Sequence, residues 1–103
     1  MNIYFSGIGG VGIGALASIA HSAGYKVFGS DQNSSLMTEE LLKKDVEIEI
    51  GKQDGSFLKS KFINDGVDWF VYTAALPKDH PELKTAQELG IKITKRDELL
   101  NEI

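Results

Sequence analysis

An α/β fold is predicted for this chain: a doubly wound parallel sheet of about five strands with helices on both faces. Three observations carry that reading. Apolar runs of strand length alternate with helix-like stretches from end to end. A glycine turn joins the first apolar run to the first helical stretch, and a second short run after that helix ends in an acid. The 103 residues suffice for one hydrophobic core and not for two, so residues 1–103 are read as a single domain.

The elements follow in order. Asn2 to Ser6 reads as the first strand, its Ile-Tyr-Phe run suited to burial on both faces. Val11 to Ala23 reads as a helix with Ile13, Leu16, Ala17, Ile19 and Ala20 on its apolar face and Gly24 ending it. Gly14 inside that helix costs about 1 kcal/mol relative to alanine, which points to a close approach by sheet backbone or ligand. Tyr25 to Asp31 is the second strand. Leu36 to Lys44 is a second helix, with Met37, Leu41 and Leu42 inward and Thr38 to Glu40 outward. Glu47 to Ile50 alternates charged and apolar residues, the pattern of a short strand near an edge. Residues 51–66 are undecided, because Phe57, Leu58 and Phe62 favour a helix that glycine and aspartate interrupt. Asp68 to Tyr72 is a central strand by composition, Trp69 included in the core. Pro81 opens a helix to Leu89 capped by Asp79 or His80, and Gly90 closes it. Ile91 to Ile93 is a last strand, and Asp97 to Ile103 begins a final helix.

The chemistry gathers at the glycine turn. Gly7-Ile8-Gly9-Gly10-Val11-Gly12 has the Gly-x-Gly-x-x-Gly spacing between a strand and a helix, as in Rossmann-like domains. Gly7 permits a tight turn, Gly9 lets backbone approach a diphosphate without an intervening Cβ, and Gly12 permits close packing of helix on strand. The free N–H groups at the helix start then face the anion, helped by the helix dipole. Asp31 ends the second strand nineteen residues after Gly12, where a carboxylate reaches ribose hydroxyls. The competing reading of Asp31, with Ser30 beside it, is a cap on the next turn. Thr73-Ala74-Ala75 after the central strand are small residues that leave room for a ligand at the same sheet edge.

Composition narrows the classes. A net charge of −4 argues against nucleic acid as the main partner, though not against a single nucleotide held by backbone N–H groups. With no cysteine there is no disulfide framework or thiolate metal site. No signal-peptide pattern and no run of bilayer length is visible, so the expectation is a cytoplasmic protein with no membrane partner. His21 and His80 lie far apart, without carboxylates at metal-ligand spacing, and no serine has the partners of a nucleophile. The acid pairs Glu39-Glu40 and Glu47/Glu49 read as solvated faces.

Several local patterns also coincide in one order: Gly7 to Gly14, Gly29-Ser30-Asp31, Thr73-Ala74-Ala75-Leu76, Pro81-Glu82 and Lys95-Arg96-Asp97-Glu98-Leu99-Leu100. In these the chain resembles the N-terminal domain of the Mur ligases, most closely the branch that joins L-alanine to UDP-N-acetylmuramate. The first two patterns fit many Rossmann-like proteins, whereas the full set is more specific and spans essentially the whole chain. The resemblance implies a site for the UDP part of that precursor. Gly7, Gly9, Gly10, Val11 and Gly12 would hold the diphosphate, Asp31 with Ser30 would sit at the ribose or uracil end, and Thr73 and Ala74 would line the sugar-phosphate side. There are departures: Thr73-Ala74 replace a usual serine pair, His80 stands where asparagine is frequent, and Lys52 where histidine is. Arg96 matches a recurrent arginine.

The resemblance implies ATP and magnesium as well, bound by a central domain that opens with a Gly-x-Gly-Lys-Thr loop and precedes a C-terminal domain. These residues carry no such loop and no catalytic group, so the expected role is substrate anchoring within a longer ligase, its remaining domains being partners. A sister branch that attaches recycled tripeptide to the same nucleotide sugar shares this domain type. The alternative from another class is an NAD-binding Rossmann domain of a dehydrogenase or ligand-sensing regulator, with Asp31 on an adenosine ribose.

Overall fold

Alternation along the strands divides the molecule into two apolar layers. The computed structural model describes residues 1–73 and 76–95. Within them β1 (Asn2–Ser6), α1 (Val11–Ser22), β2 (Lys26–Asp31), α2 (Leu36–Lys43), β3 (Glu47–Ile50), α3 (Ser56–Asn64), β4 (Trp69–Tyr72), α4 (Pro81–Glu88) and β5 (Lys92–Lys95) follow one another. The five strands form one sheet in the order β3-β2-β1-β4-β5, and every neighbouring pair is parallel. Ile3, Phe5, Val27, Trp69 and Val71 point to one face, where Ile13, Leu16, Ala17 and Ala20 of α1 and Leu41 of α2 cover them. Tyr4, Phe28 and Phe70 point to the other face, beneath Leu58 of α3 and Leu83 and Ala86 of α4. Each fully buried side chain of this kind stabilises the fold by about 1.5–3 kcal/mol.

The helix ends explain themselves locally. Gly24 adopts φ +98°, its N–H donates to the His21 carbonyl, and the Tyr25 N–H donates to the Ala20 carbonyl, a Schellman closure of α1. Ser35 and Thr38 cap α2 reciprocally. Gly14 is where α1 is approached most closely: a Cβ there would lie 2.3 Å from Met37 Cγ and 2.8 Å from the Ile8 carbonyl oxygen. The neighbour is therefore α2 and the glycine turn, not the sheet.

Some sequence expectations need correction. Thr38 is fully buried because its hydroxyl completes the cap, while Leu42, expected inward, is 45 % exposed. Ile19 lies on the outer side of α1. Glu49 is not a solvated acid; it is half-buried, and its Oε1 is a buried oxygen without a hydrogen-bond partner. The undecided stretch holds α3, made possible by Gly55 at φ +94° and by Leu58 as its buried anchor. The final helix expected over 97–103 lies outside the described residues, as do Ala74, Ala75 and Arg96.

Candidate functional site

The chain runs outward from β1 to β3 and then returns to β4 on the other side of β1, so the strand order reverses beside β1. Ligands of open α/β sheets bind at such a reversal, at the carboxyl ends of the strands. A cleft of about 390 Å³ opens there. Gly7 and Gly10 line it from the end of β1, Asp31, Gln32 and Asn33 from the end of β2, and Gln53 from beyond β3. Thr73, Leu76, Pro77 and His80 close it from the side of β4 and α4. Its volume lies in the range of small-ligand sites.

The glycine turn is fastened to β2 by three hydrogen bonds. Gly7 and Ile8 donate their N–H groups to the Ser30 carbonyl at 2.9 and 3.0 Å. Gly9 donates to Asp31 Oδ2 at 2.8 Å. Gly7 needs its glycine: φ is +81°, and a Cβ would lie 3.1 Å from Thr73 Cγ2. Gly9 needs its own for a different reason, since a Cβ would lie 2.7 Å from Asp31 Oδ2 and 3.0 Å from Ser35 Oγ. Asp31 also accepts from the Asn33 N–H at 3.3 Å. Both of its carboxylate oxygens thus serve the turns around it while the side chain still borders the cleft.

Four helix N-termini can be compared. The α2 start is closed by the Ser35–Thr38 cap, and in α3 the Ser56 N–H donates to Asp54 Oδ1 at 2.9 Å. In α4 the Glu82 N–H donates to His80 Nδ1 at 3.1 Å, so the histidine does what an asparagine would do at that position. The α1 start has neither a side-chain cap nor an acid in its first turn. It opens with Val11, 86 % exposed, and follows Gly10, a residue of the cleft wall. Among the described helices it alone keeps its first-turn N–H groups clear of side chains, and these are the groups an anion binds.

Beneath the cleft lies a buried polar cluster. Glu82 is fully buried, and its carboxylate accepts from Tyr4 Oη at 2.6 Å, from Ser6 Oγ at 2.7 Å and from Ser30 Oγ. Burial first, and then the charge of Glu82 and its hydrogen bond, push the Tyr4 phenol far above its ordinary range. Asp54 is held below the usual carboxylate range by the Ser56 hydroxyl and then the Ser56 N–H.

Of the residues singled out by sequence, Gly7, Gly10, Asp31 and Thr73 meet at the cleft, with Gly9 behind them and Val11 and Gly12 opening α1. Ser30 is adjacent, its hydroxyl fully buried and directed at Glu82. Ala74 lies outside the described residues. Sequence reasoning did not single out Gln53 or the neighbours Gln32 and Asn33. For Gln53 the only available signal was a polar residue between Gly51 and Gly55; Glu82 stood in the Pro81-Glu82 pattern as an acid just inside a proline-started helix, with nothing to show its burial. Among the described residues no group of three His, Asp or Glu could hold a metal ion, and no helix is long and apolar enough to cross a membrane.

Comparison with known proteins agrees with this fold. The profile described as "Mur ligase family, catalytic domain" matches residues 2–103. A UDP-N-acetylmuramate–L-alanine ligase of Campylobacter jejuni is 41 % identical over 99 residues, which are 96 % of this chain and 21 % of that protein. The chain thus spans about a fifth of the length of the curated relatives it matches. Among solved structures, the UDP-N-acetylmuramate–alanine ligase of Thermotoga maritima superposes with a TM-score of 0.83 at 28 % identity, covering 99 % of this chain and 22 % of that one. A murein peptide ligase of Psychrobacter arcticus gives 0.82 at 28 % identity, covering 99 % and 20 %. With the family match over residues 2–103, the sequence identity and the superposed fold in agreement, the chain belongs to the Mur ligase family.

Proposed function

We propose that this chain is the nucleotide-anchoring domain of an ATP-dependent UDP-N-acetylmuramate–L-alanine ligase of peptidoglycan precursor synthesis, acting in the cytoplasm. The observation that carries the reading is the uncapped, acid-free start of α1 beside a glycine turn held open at a 390 Å³ cleft. Val11 and Gly12 N–H groups would receive the diphosphate of UDP-N-acetylmuramate, with Gly7, Gly9 and Gly10 giving it room. Asp31 would border the nucleoside, and Thr73, with Ala74 beyond it, the sugar-phosphate side. Ser30 contributes by its carbonyl, which fixes the turn, and by its link to Glu82.

The domain's share of catalysis is positional. Anchoring the nucleotide far from the reacting carboxyl spends remote binding energy on orienting the reactive end. ATP and magnesium would belong to a further domain of the ligase, where they activate the muramyl carboxylate toward the amine of L-alanine; the residues of this chain supply no step of that chemistry. The test is calorimetric titration with UDP-N-acetylmuramate and with NAD. Binding of the uridine ligand and not of NAD is expected. The reverse preference would assign the chain a dinucleotide instead.

A further inference from the structure

The hydrogen bonds beneath the cleft have a direction imposed by one group. The Glu82 carboxylate can only accept, so Ser30 spends its single hydroxyl proton on it. The Ser30 oxygen must then accept from its other neighbour, which is Gln53, with Nε2 at 3.1 Å. A side-chain amide has one donor end and one acceptor end. With the donor end turned to Ser30, the Gln53 Oε1 is turned away from it.

What Oε1 meets follows from two further facts. Gln53 borders the cleft although only 6 % of the residue is exposed. Its Oε1 has no hydrogen-bond partner among the described residues, yet it is not among their buried unpartnered oxygens, of which Glu49 Oε1 is the one; the Gln53 oxygen therefore reaches solvent from a residue that lines the cleft. The backbone underlines the placement: Gln53 has φ +46°, a conformation uncommon outside glycine.

Resting on the nucleotide reading above, we infer that Gln53 Oε1 is a hydrogen-bond acceptor of the binding cleft, that it takes a donor of the nucleoside, either the imide N–H of the base or the 2′-hydroxyl, and that Glu82 is the positioning residue that fixes its polarity. Neutral Gln in place of Glu82 keeps the shape but can donate to Ser30. Ser30 is then free to donate in turn, and the Gln53 amide can turn over.

The test uses Gln53→Met and Glu82→Gln with UDP, 3-methyl-UDP and 2′-deoxy-UDP, read by calorimetry, plus NMR of the ligand-free chain. Gln53→Met should bind UDP about fivefold more weakly, the size of one lost neutral hydrogen bond. With the analogue that lacks the relevant donor, Gln53→Met and the unmodified chain should bind alike. Glu82→Gln should weaken UDP by a similar factor. Without ligand, Gln53 should show one set of slowly exchanging side-chain amide signals with cross-peaks to Ser30, split or averaged in Glu82→Gln. UDP binding unaffected by Gln53→Met, or a Gln53→Met effect that persists with both analogues, overturns the inference and leaves the nucleotide reading standing. No UDP binding by the unmodified chain overturns that reading and the ligand half of this inference with it, whereas averaged Gln53 signals in the unmodified chain overturn the fixed polarity whatever the ligand result.

Discussion

The Asp31 carboxylate accepts a hydrogen bond from the Gly9 N–H at 2.8 Å, so the acid at the end of β2 holds the glycine turn at the end of β1. The two motif elements are therefore one device. Asp31→Ala should loosen the turn, destabilising the chain by about 1 kcal/mol and weakening UDP-N-acetylmuramate binding. Asp31→Asn keeps an acceptor for Gly9 and should recover most of the stability. Denaturant unfolding and calorimetry of the two variants separate the structural part from the ligand part.

Gly14→Ala is expected to destabilise, against the helix propensity that favours alanine by about 1 kcal/mol. The new Cβ would meet Met37 Cγ at 2.3 Å and the Ile8 carbonyl at 2.8 Å. The side chain can yield but the carbonyl belongs to the fastened turn, so a net loss of about 1–3 kcal/mol is expected. Adding Met37→Ala should return only part of it, as measured by the urea midpoint at constant slope.

Gly7→Ala places an L side chain at φ +81°, next to Thr73 Cγ2 at 3.1 Å. About 1 kcal/mol of backbone strain is expected, together with a displaced turn. Ligand affinity should fall more than stability does, which calorimetry at a temperature well below unfolding will show.

Alkaline titration reads the buried cluster. Burial and the Glu82 charge raise the Tyr4 pKa in the folded chain above its unfolded value of about 10. Below that value both states hold the proton and the contribution is intact; above it the unfolded state releases the proton and the folded state does not, so stability falls as pH rises. The tyrosinate absorbance of Tyr4 should therefore emerge only as the chain unfolds. Tyr4→Phe should lack that increment and be less stable at neutral pH, because Glu82 loses one of its three hydroxyl donors.

The sheet was legible in the sequence because its strands carry dense apolar runs and its turns carry glycine, signals that act over a few residues. The Gly7 to Gly12 turn and Asp31 were legible as motif and spacing. What was not legible depended on contacts far apart in sequence. Thr38 looks polar and outward until its hydroxyl is seen closing on Ser35, and Glu82 looks like an ordinary first-turn acid until Tyr4, Ser6 and Ser30 converge on it. The direction of the Ser30 side chain was not legible either, because it is alternation along β2 that sends it to the α4 face, onto Glu82. Gln53 had no periodic or motif signal, and only the fold brings it to the cleft.

Whether the start of α1 receives the diphosphate of a uridine nucleotide is read from the backbone amide shifts of the labelled chain during titration with UDP-N-acetylmuramate. Saturable shifts are expected to concentrate at Gly7, Gly10, Val11 and Gly12, with smaller ones at Asp31 and Thr73, and none of that pattern with NAD. Saturable shifts centred elsewhere, or the same residues responding to NAD and not to the uridine ligand, would contradict it.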